Sequence, residues 1–125
     1  MKKILILDHE REVLEILEFG FKLMGHDVTS YADLDTAMSC EDFNFYDYII
    51  LETDFPQMTG LEFGHFLRNK KIQTPLIFYS RFGSLKNLYQ DKVHQIEGSF
   101  YLTKPSSLDL FQSIFEQIPF KSCNQ

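Results

Sequence analysis

The stretch "DYIILETDFPQMTGLEF", Asp47–Phe63, decides how this chain is read. Its apolar run, Tyr48-Ile49-Ile50-Leu51, stops at a carboxylate, Glu52, and Asp54, Pro56 and Gly60 follow within a few residues. A continuous apolar run of this length is what a strand buried on both faces produces. The Pro and Gly that follow punctuate a loop, and Leu61, Phe63, Phe66 and Leu67 then recur at helical spacing, which predicts a helix over 60–69. Tyr46–Leu51 is thus read as a buried strand that ends in acid.

Working outward, the same unit repeats. Lys3–Leu7 is a second buried run, closed by Asp8-His9-Glu10. From Glu10 to Met24 the apolar residues Val13, Ile16, Leu17, Phe21 and Met24 predict a helix, with Gly25 placed where a helix C-terminus wants a positive φ. His26–Tyr31 is a short strand, and Leu34, Ala37 and Met38 a short helix opened by Asp33. Residues 74–80, "TPLIFYS", form the next strand; a loop at Gly83 and a helix carrying Leu85, Leu88, Tyr89 and Ile96 follow. "SFYLT", 99–103, is the fifth strand. A last helix shows a near capping box of Ser106 and Asp109 and a stripe of Leu108, Phe111, Ile114, Phe115 and Ile118.

Strand and helix alternate five times, which predicts an α/β fold: a (βα)5 three-layer sandwich around a five-stranded parallel sheet. In such sheets ligands sit beyond the carboxyl ends of the strands, near the point where strand order reverses. The residues to examine are therefore Asp8, His9 and Glu10, then Glu52 to Asp54, Ser80 with Arg81, and Lys104 with Pro105.

Composition narrows the function classes. At 125 residues, 44% hydrophobic and with 13 Phe, the chain suffices for one ordered domain over 1–125 and is too short for two. Twelve basic against eighteen acidic residues leave a net charge of −6 with no basic segregation, which argues against a nucleic-acid or anionic-membrane surface. No apolar run reaches transmembrane or signal-peptide length, so a cytoplasmic protein is expected. Cys40 and Cys123 lack any metal or redox spacing and read as bystander thiols, while His26, His65 and His94 read as surface residues.

Taken together, "KKILILDHE", "DYIILETDFPQMTGLEF", "PLIFYS" and "YLTKP" resemble the receiver domain of the response regulators of two-component systems, which has a flavodoxin-like fold. The resemblance spans nearly the whole chain and implies signal transduction rather than enzyme activity. It implies a phosphoacceptor Asp ending strand three, four residues before a Pro and eight before a Gly. Pro56 and Gly60 place that position at Glu52, so the usual Asp is missing. It implies an acidic pair after strand one, of which Asp8 matches and His9 does not. Ser80, the switch aromatic Tyr101, Lys104 and Pro105 all match.

Two of the three acids of the family's Mg2+-dependent chemistry are therefore changed. Glu is longer than Asp by about 1.5 Å of bond, and Mg2+ demands near-ideal oxygen geometry at about 2.0 to 2.1 Å. His9 offers a nitrogen, which suits Zn2+ or Ni2+ better. No cofactor is expected, Mg2+ binding should be weak or absent, and the only set that could hold a metal is Asp8, His9 and Glu52. Glu52 is expected to attract Lys104 and Ser80.

The resemblance then implies a stand-alone pseudo-receiver that acts through a protein partner, whether a histidine kinase, another regulator or an effector. The face of helix four, strand five and helix five would meet that partner or form a homodimer. With helix five ending near Ile118, no output domain is expected. The alternative is a phosphorylatable receiver using Glu52 or the loop residue Asp54 with weak metal dependence. A flavin binder of the same fold would need a Gly- or Ser-rich phosphate cradle where this chain has "DHERE".

Overall fold

A computed structural model describes residues 1–81 and 86–117. The strands are β1 (Lys3–Leu7), β2 (Asp27–Tyr31), β3 (Tyr48–Leu51), β4 (Leu76–Ser80) and β5 (Ser99–Thr103). Between and after them run α1 (Arg11–Leu23), α2 (Leu34–Cys40), α3 (Gly60–Asn69), α4 (Lys86–His94) and α5 (Leu108–Glu116). All pairings are parallel, in the order β2-β1-β3-β4-β5, so strand order reverses beside β1 and β3 at the centre of the sheet. The five-stranded parallel sheet with helices on both faces is the architecture the alternating pattern predicts.

Alternation along the central strands sends side chains to opposite faces. Leu5, Leu7, Ile49, Leu51, Leu76 and Phe78 pack with Leu34 of α2, Phe63 and Leu67 of α3, and Val93 of α4. Ile4, Ile6, Tyr48, Ile50, Ile77 and Tyr79 pack with Leu14, Leu17 and Phe21 of α1 and Phe111, Ile114 and Phe115 of α5. Tyr48 ties the second layer down by donating its hydroxyl to the carbonyl of Ile114 at 2.9 Å.

The helix signals behave as local chemistry dictates. Asp33 caps α2 by accepting from the Thr36 amide at 2.9 Å. Thr59 and Glu62 form a reciprocal capping box at the start of α3, and Gly25 after α1 has φ +91°.

Several expectations are corrected. In α1, Ile16 is 65% exposed, and Leu14 occupies the buried turn instead. This helix carries two apolar stripes about 160° apart, and only packing decides which faces the sheet. In α4, Leu88 is 57% exposed while Val93 is fully buried. Ile96 is buried too, but in the turn beyond the helix. Ser107, not Ser106 with Asp109, caps α5, because Ser106 is engaged elsewhere: its hydroxyl donates to Thr103 O at 2.6 Å and its amide to the Tyr79 hydroxyl at 3.0 Å. His26 is not a plain surface residue. It is half-buried, with Nδ1 accepting from the Lys2 amide at 3.1 Å and Nε2 3.0 Å from Gln112 Oε1. His65 and His94 are exposed. Gly83, Leu85, Ile118 and Cys123 lie outside the described residues.

Candidate functional site

Register brings the site together. Leu7 pairs with Leu51, and the ladder continues one residue further, with the Glu52 amide donating to Leu7 O at 2.9 Å. Asp8 and Glu52 therefore emerge side by side at the carboxyl edge of the two central strands. On the other side, Ser80 pairs with Thr103, and the Lys104 amide donates to Ser80 O at 2.7 Å. The Lys104–Pro105 peptide is cis, and Pro105 itself is exposed. The strand ends open onto a cavity of about 130 Å³ lined by His9, Glu10, Glu52, Asp54, Ser80 and Lys104 among others.

Lys104 is the electrostatic centre, with its side chain 3% exposed. Its Nζ lies 2.8 Å from Asp8 Oδ2, 2.8 Å from Glu52 Oε1 and 2.7 Å from Glu10 Oε1. It donates hydrogen bonds to Glu52 and Glu10 and forms an ion pair with Asp8 Oδ2. Asp8 Oδ1 accepts from the Glu10 amide at 2.8 Å. Arg81 Nη1 reaches Glu10 Oε2 at 3.4 Å, and His9 Nδ1 meets the second oxygen of Glu52.

Three carboxylates share one buried ammonium, and the protonation equilibria follow. Burial and then the adjoining Asp8 carboxylate push Glu52 up to about 7, against the opposing pull of Lys104. Burial works against the charge on Lys104, but its hydrogen bonds to Asp8, Glu10 and Glu52 outweigh that and hold its pKa above the ordinary lysine value. The Lys104 hydrogen bond holds Glu10 below the usual carboxylate range, against its slight desolvation. These shifts are compatible because one ammonium cannot neutralise two carboxylates that are 1% and 3% exposed. The surplus charge falls on Glu52.

Of the residues singled out from sequence, the structure gathers Asp8, His9, Glu52 and Lys104. Ser80 is at the rim, but its hydroxyl shares a 3.1 Å hydrogen bond with the Tyr101 hydroxyl rather than with Glu52. Asp54 is exposed in the loop, in an isolated bridge with Thr59, and lines the same cavity. Glu10 and Arg81 gain a role that sequence reasoning left blank; the only signal was their position just past a strand end. Gly60 also belongs to the site's construction, since a Cβ there would lie 2.2 Å from Glu52 O and 2.8 Å from Thr53 Cα. The closeness of α3 to the end of β3 requires a glycine.

Residues 4–116 match the response regulator receiver domain. The chain belongs to this family. Receiver domains of two-component response regulators act in signal transduction, and their partners are kinases and effectors. The chain is 30% identical over 108 residues to the nisin biosynthesis regulatory protein NisR of Lactococcus lactis, which covers 85% of this chain and 45% of NisR. It spans less than half the length of the curated relatives it matches. Among solved structures, a Francisella response regulator 1452 receiver domain is 26% identical with a TM-score of 0.76, covering 93% of this receiver and 94% of that one. A two-component response regulator from Clostridium difficile, at 20% identity, shares the fold over 100% of both chains with a TM-score of 0.83. Among the described residues of this receiver, no helix is long and apolar enough to cross a membrane.

Proposed function

We propose that this chain is an atypical receiver that signals by binding a protein partner and does not depend on phosphorylation of an aspartate. The observation that carries this reading is the pairing of Glu52 Oε1 with Lys104 Nζ at 2.8 Å. A carboxylate longer than Asp stands at the acceptor position, with one oxygen on the lysine and the other against His9. Phosphoryl transfer depends on a positioned acceptor oxygen and on charge neutralisation by a metal and a lysine. Here that lysine is already shared among three carboxylates.

The Mg2+ that the family uses does not fit this donor set. Asp8 offers a hard oxygen, but His9 puts a nitrogen where Mg2+ prefers oxygen, and the two oxygens of Glu52 are engaged by Lys104 and by His9. The partner would be a histidine kinase, another regulator or an effector, and it would meet the α4-β5-α5 face. Leu88 and Leu110 are 57% and 49% exposed there, beside half-buried Tyr101 and Leu102, a combination suited to a docking surface or a homodimer contact. The rival reading, phosphorylation of Glu52 or Asp54, draws no support from Asp54, which is exposed in the loop and is not among the carboxylates paired with Lys104 in the described residues.

Incubation with an acyl-phosphate analogue and Mg2+, read by intact mass, tests the proposal. The parent should gain no phosphoryl mass. The double variant Glu52→Asp with His9→Asp should gain Mg2+ binding and some phosphorylation, because Ser80 and Lys104 already stand in place. A stable phosphoryl adduct on the parent would refute the reading.

A further inference from the structure

Helix α1 carries more apolar surface than the sheet covers. Its inner stripe of Leu14, Leu17 and Phe21 is buried, while Ile16, Phe19 and Leu23 stand 65%, 68% and 72% exposed. Their spacing of three and then four residues puts these three on one face, as a ridge about 10 Å long. Single apolar residues on a surface are ordinary, but a contiguous row of them marks a contact surface. Beside Ile16 a cleft of about 240 Å³ opens between α1 and the start of α5, with Val13, Leu17, Tyr79 and Leu108 among its walls. An apolar ridge and an apolar hole therefore lie side by side on the same helix.

The geometry points to a second copy of this chain as the occupant of that face, with the two α1 helices packed antiparallel across a two-fold axis near Phe19. Charge selects this occupant. Glu15 and Lys22 are both exposed and lie seven residues, about two turns, apart on one flank of the ridge. A two-fold axis perpendicular to the helices brings like flanks together and reverses their order. Glu15 of one copy then faces Lys22 of the other, and the pair forms twice.

Shape points the same way. The operation that pairs the charges carries Leu23 of each copy to the level of Ile16 of the other, beside the cleft, where its side chain can fill the hole. The interface is isologous, so one ridge and one cleft per copy satisfy both halves. It is also smaller than the roughly 800 Å² that a standard interface buries on each side, which makes the association weak and reversible, with a Kd on the order of 10 to 100 µM. This surface is distinct from the α4-β5-α5 face, and a dimer built on it leaves Leu88 and Leu110 uncovered for a partner.

Sedimentation velocity of the tag-free full chain, from about 5 to 500 µM in about 0.15 M salt, tests this. The expected result is a monomer–dimer equilibrium in that Kd range. Phe19→Glu changes an exposed side chain, so it should raise the Kd at least about tenfold while Tm stays within a few degrees of the parent. Glu15→Lys or Lys22→Glu alone should raise the Kd about three- to tenfold, and the two together in one chain should restore it, because the swapped charges are complementary again. Leu110→Glu, on the α4-β5-α5 face, should leave the equilibrium as it is. A chain monomeric up to about 500 µM, a dimer that survives Phe19→Glu, or a charge swap that fails to restore the parent Kd overturns the proposal. So does a dimer dissolved by Leu110→Glu, which would place the contact on the α4-β5-α5 face. The phosphorylation test is independent of each of these outcomes.

Discussion

Replacing Lys104 with methionine probes the centre of the pocket, because it keeps most of the side-chain volume and removes the charge. Three contacts vanish, at 2.8 Å to Asp8, 2.8 Å to Glu52 and 2.7 Å to Glu10. Glu10 is 34% exposed and can turn to water, but Asp8 and Glu52 are 1% and 3% exposed and cannot. Stripping one partner from a buried ion pair costs about 3 to 5 kcal/mol, a large share of the roughly 5 to 15 kcal/mol that holds a domain together. For a chain of this size that corresponds to a fall in Tm on the order of 10 to 20 °C.

The sign of the pH dependence strengthens the test. Lys104 has a raised folded pKa, so the stability it contributes is fully present everywhere below the unfolded lysine value, including pH 5 to 8. Without it, Glu52, already pushed up by burial and by Asp8, can relieve the repulsion only by taking up a proton, which is easier at pH 5 than at pH 8. The deficit of Lys104→Met, measured by urea denaturation, should therefore be largest at pH 8 and shrink toward pH 5. Adding Glu52→Gln to the same background should recover part of it, with a coupling of about 1 to 3 kcal/mol in the double-mutant cycle. A deficit under about 1 kcal/mol at pH 8, or effects that add within about 0.5 kcal/mol, would show that the buried pair does not form.

Other outcomes follow from the same contacts. Glu52 is raised from 4.5 to about 7, so the folded state holds the extra proton between these values and stability falls as pH rises through this window; Glu52→Gln should flatten that slope, which amounts to no more than about 3 kcal/mol in equilibrium unfolding. Phe111 is fully buried with ring centroids 5.4 Å from Phe21 and 5.0 Å from Tyr79, so Phe111→Asp should cost at least about 4 kcal/mol and abolish a cooperative melt; a Tm within a few degrees of the parent would mean that α5 does not cover this face. Gly60→Ala would drive a methyl into the backbone of Glu52 and Thr53, and a loss of roughly 2 kcal/mol or more is expected by thermal denaturation; a neutral result would place α3 further from the end of β3.

Much of the fold is legible in the sequence because buried parallel strands leave apolar runs that few other structures tolerate. Lys3–Leu7, Tyr48–Leu51 and Leu76–Ser80 can be located by pattern alone, and the spacing of Pro56 and Gly60 places Glu52 at the strand end. Parallel pairing of β1 with β3 then dictates that Asp8 and Glu52 emerge as neighbours.

Periodicity alone could not choose between the two apolar stripes of α1. Leu14 is inside and Ile16 outside because of how the helix seats against Ile4, Ile6 and α5, a global packing choice with no local signature. The pairing of Lys104 with Glu10, 94 residues away, likewise belongs to tertiary structure. Both side chains are long and have several rotamers, so their meeting depends on where two loops end in space rather than on the residues beside them. The same holds for Ser80, whose hydroxyl turns to Tyr101 instead of Glu52 because the neighbouring strand β5 brings the phenol within 3.1 Å. Sequence determined which chemical groups stand at the carboxyl edge of the sheet; the folded chain decided which of them hold one another, since hydrogen bonds and ion pairs form over a few ångströms that only three-dimensional packing sets.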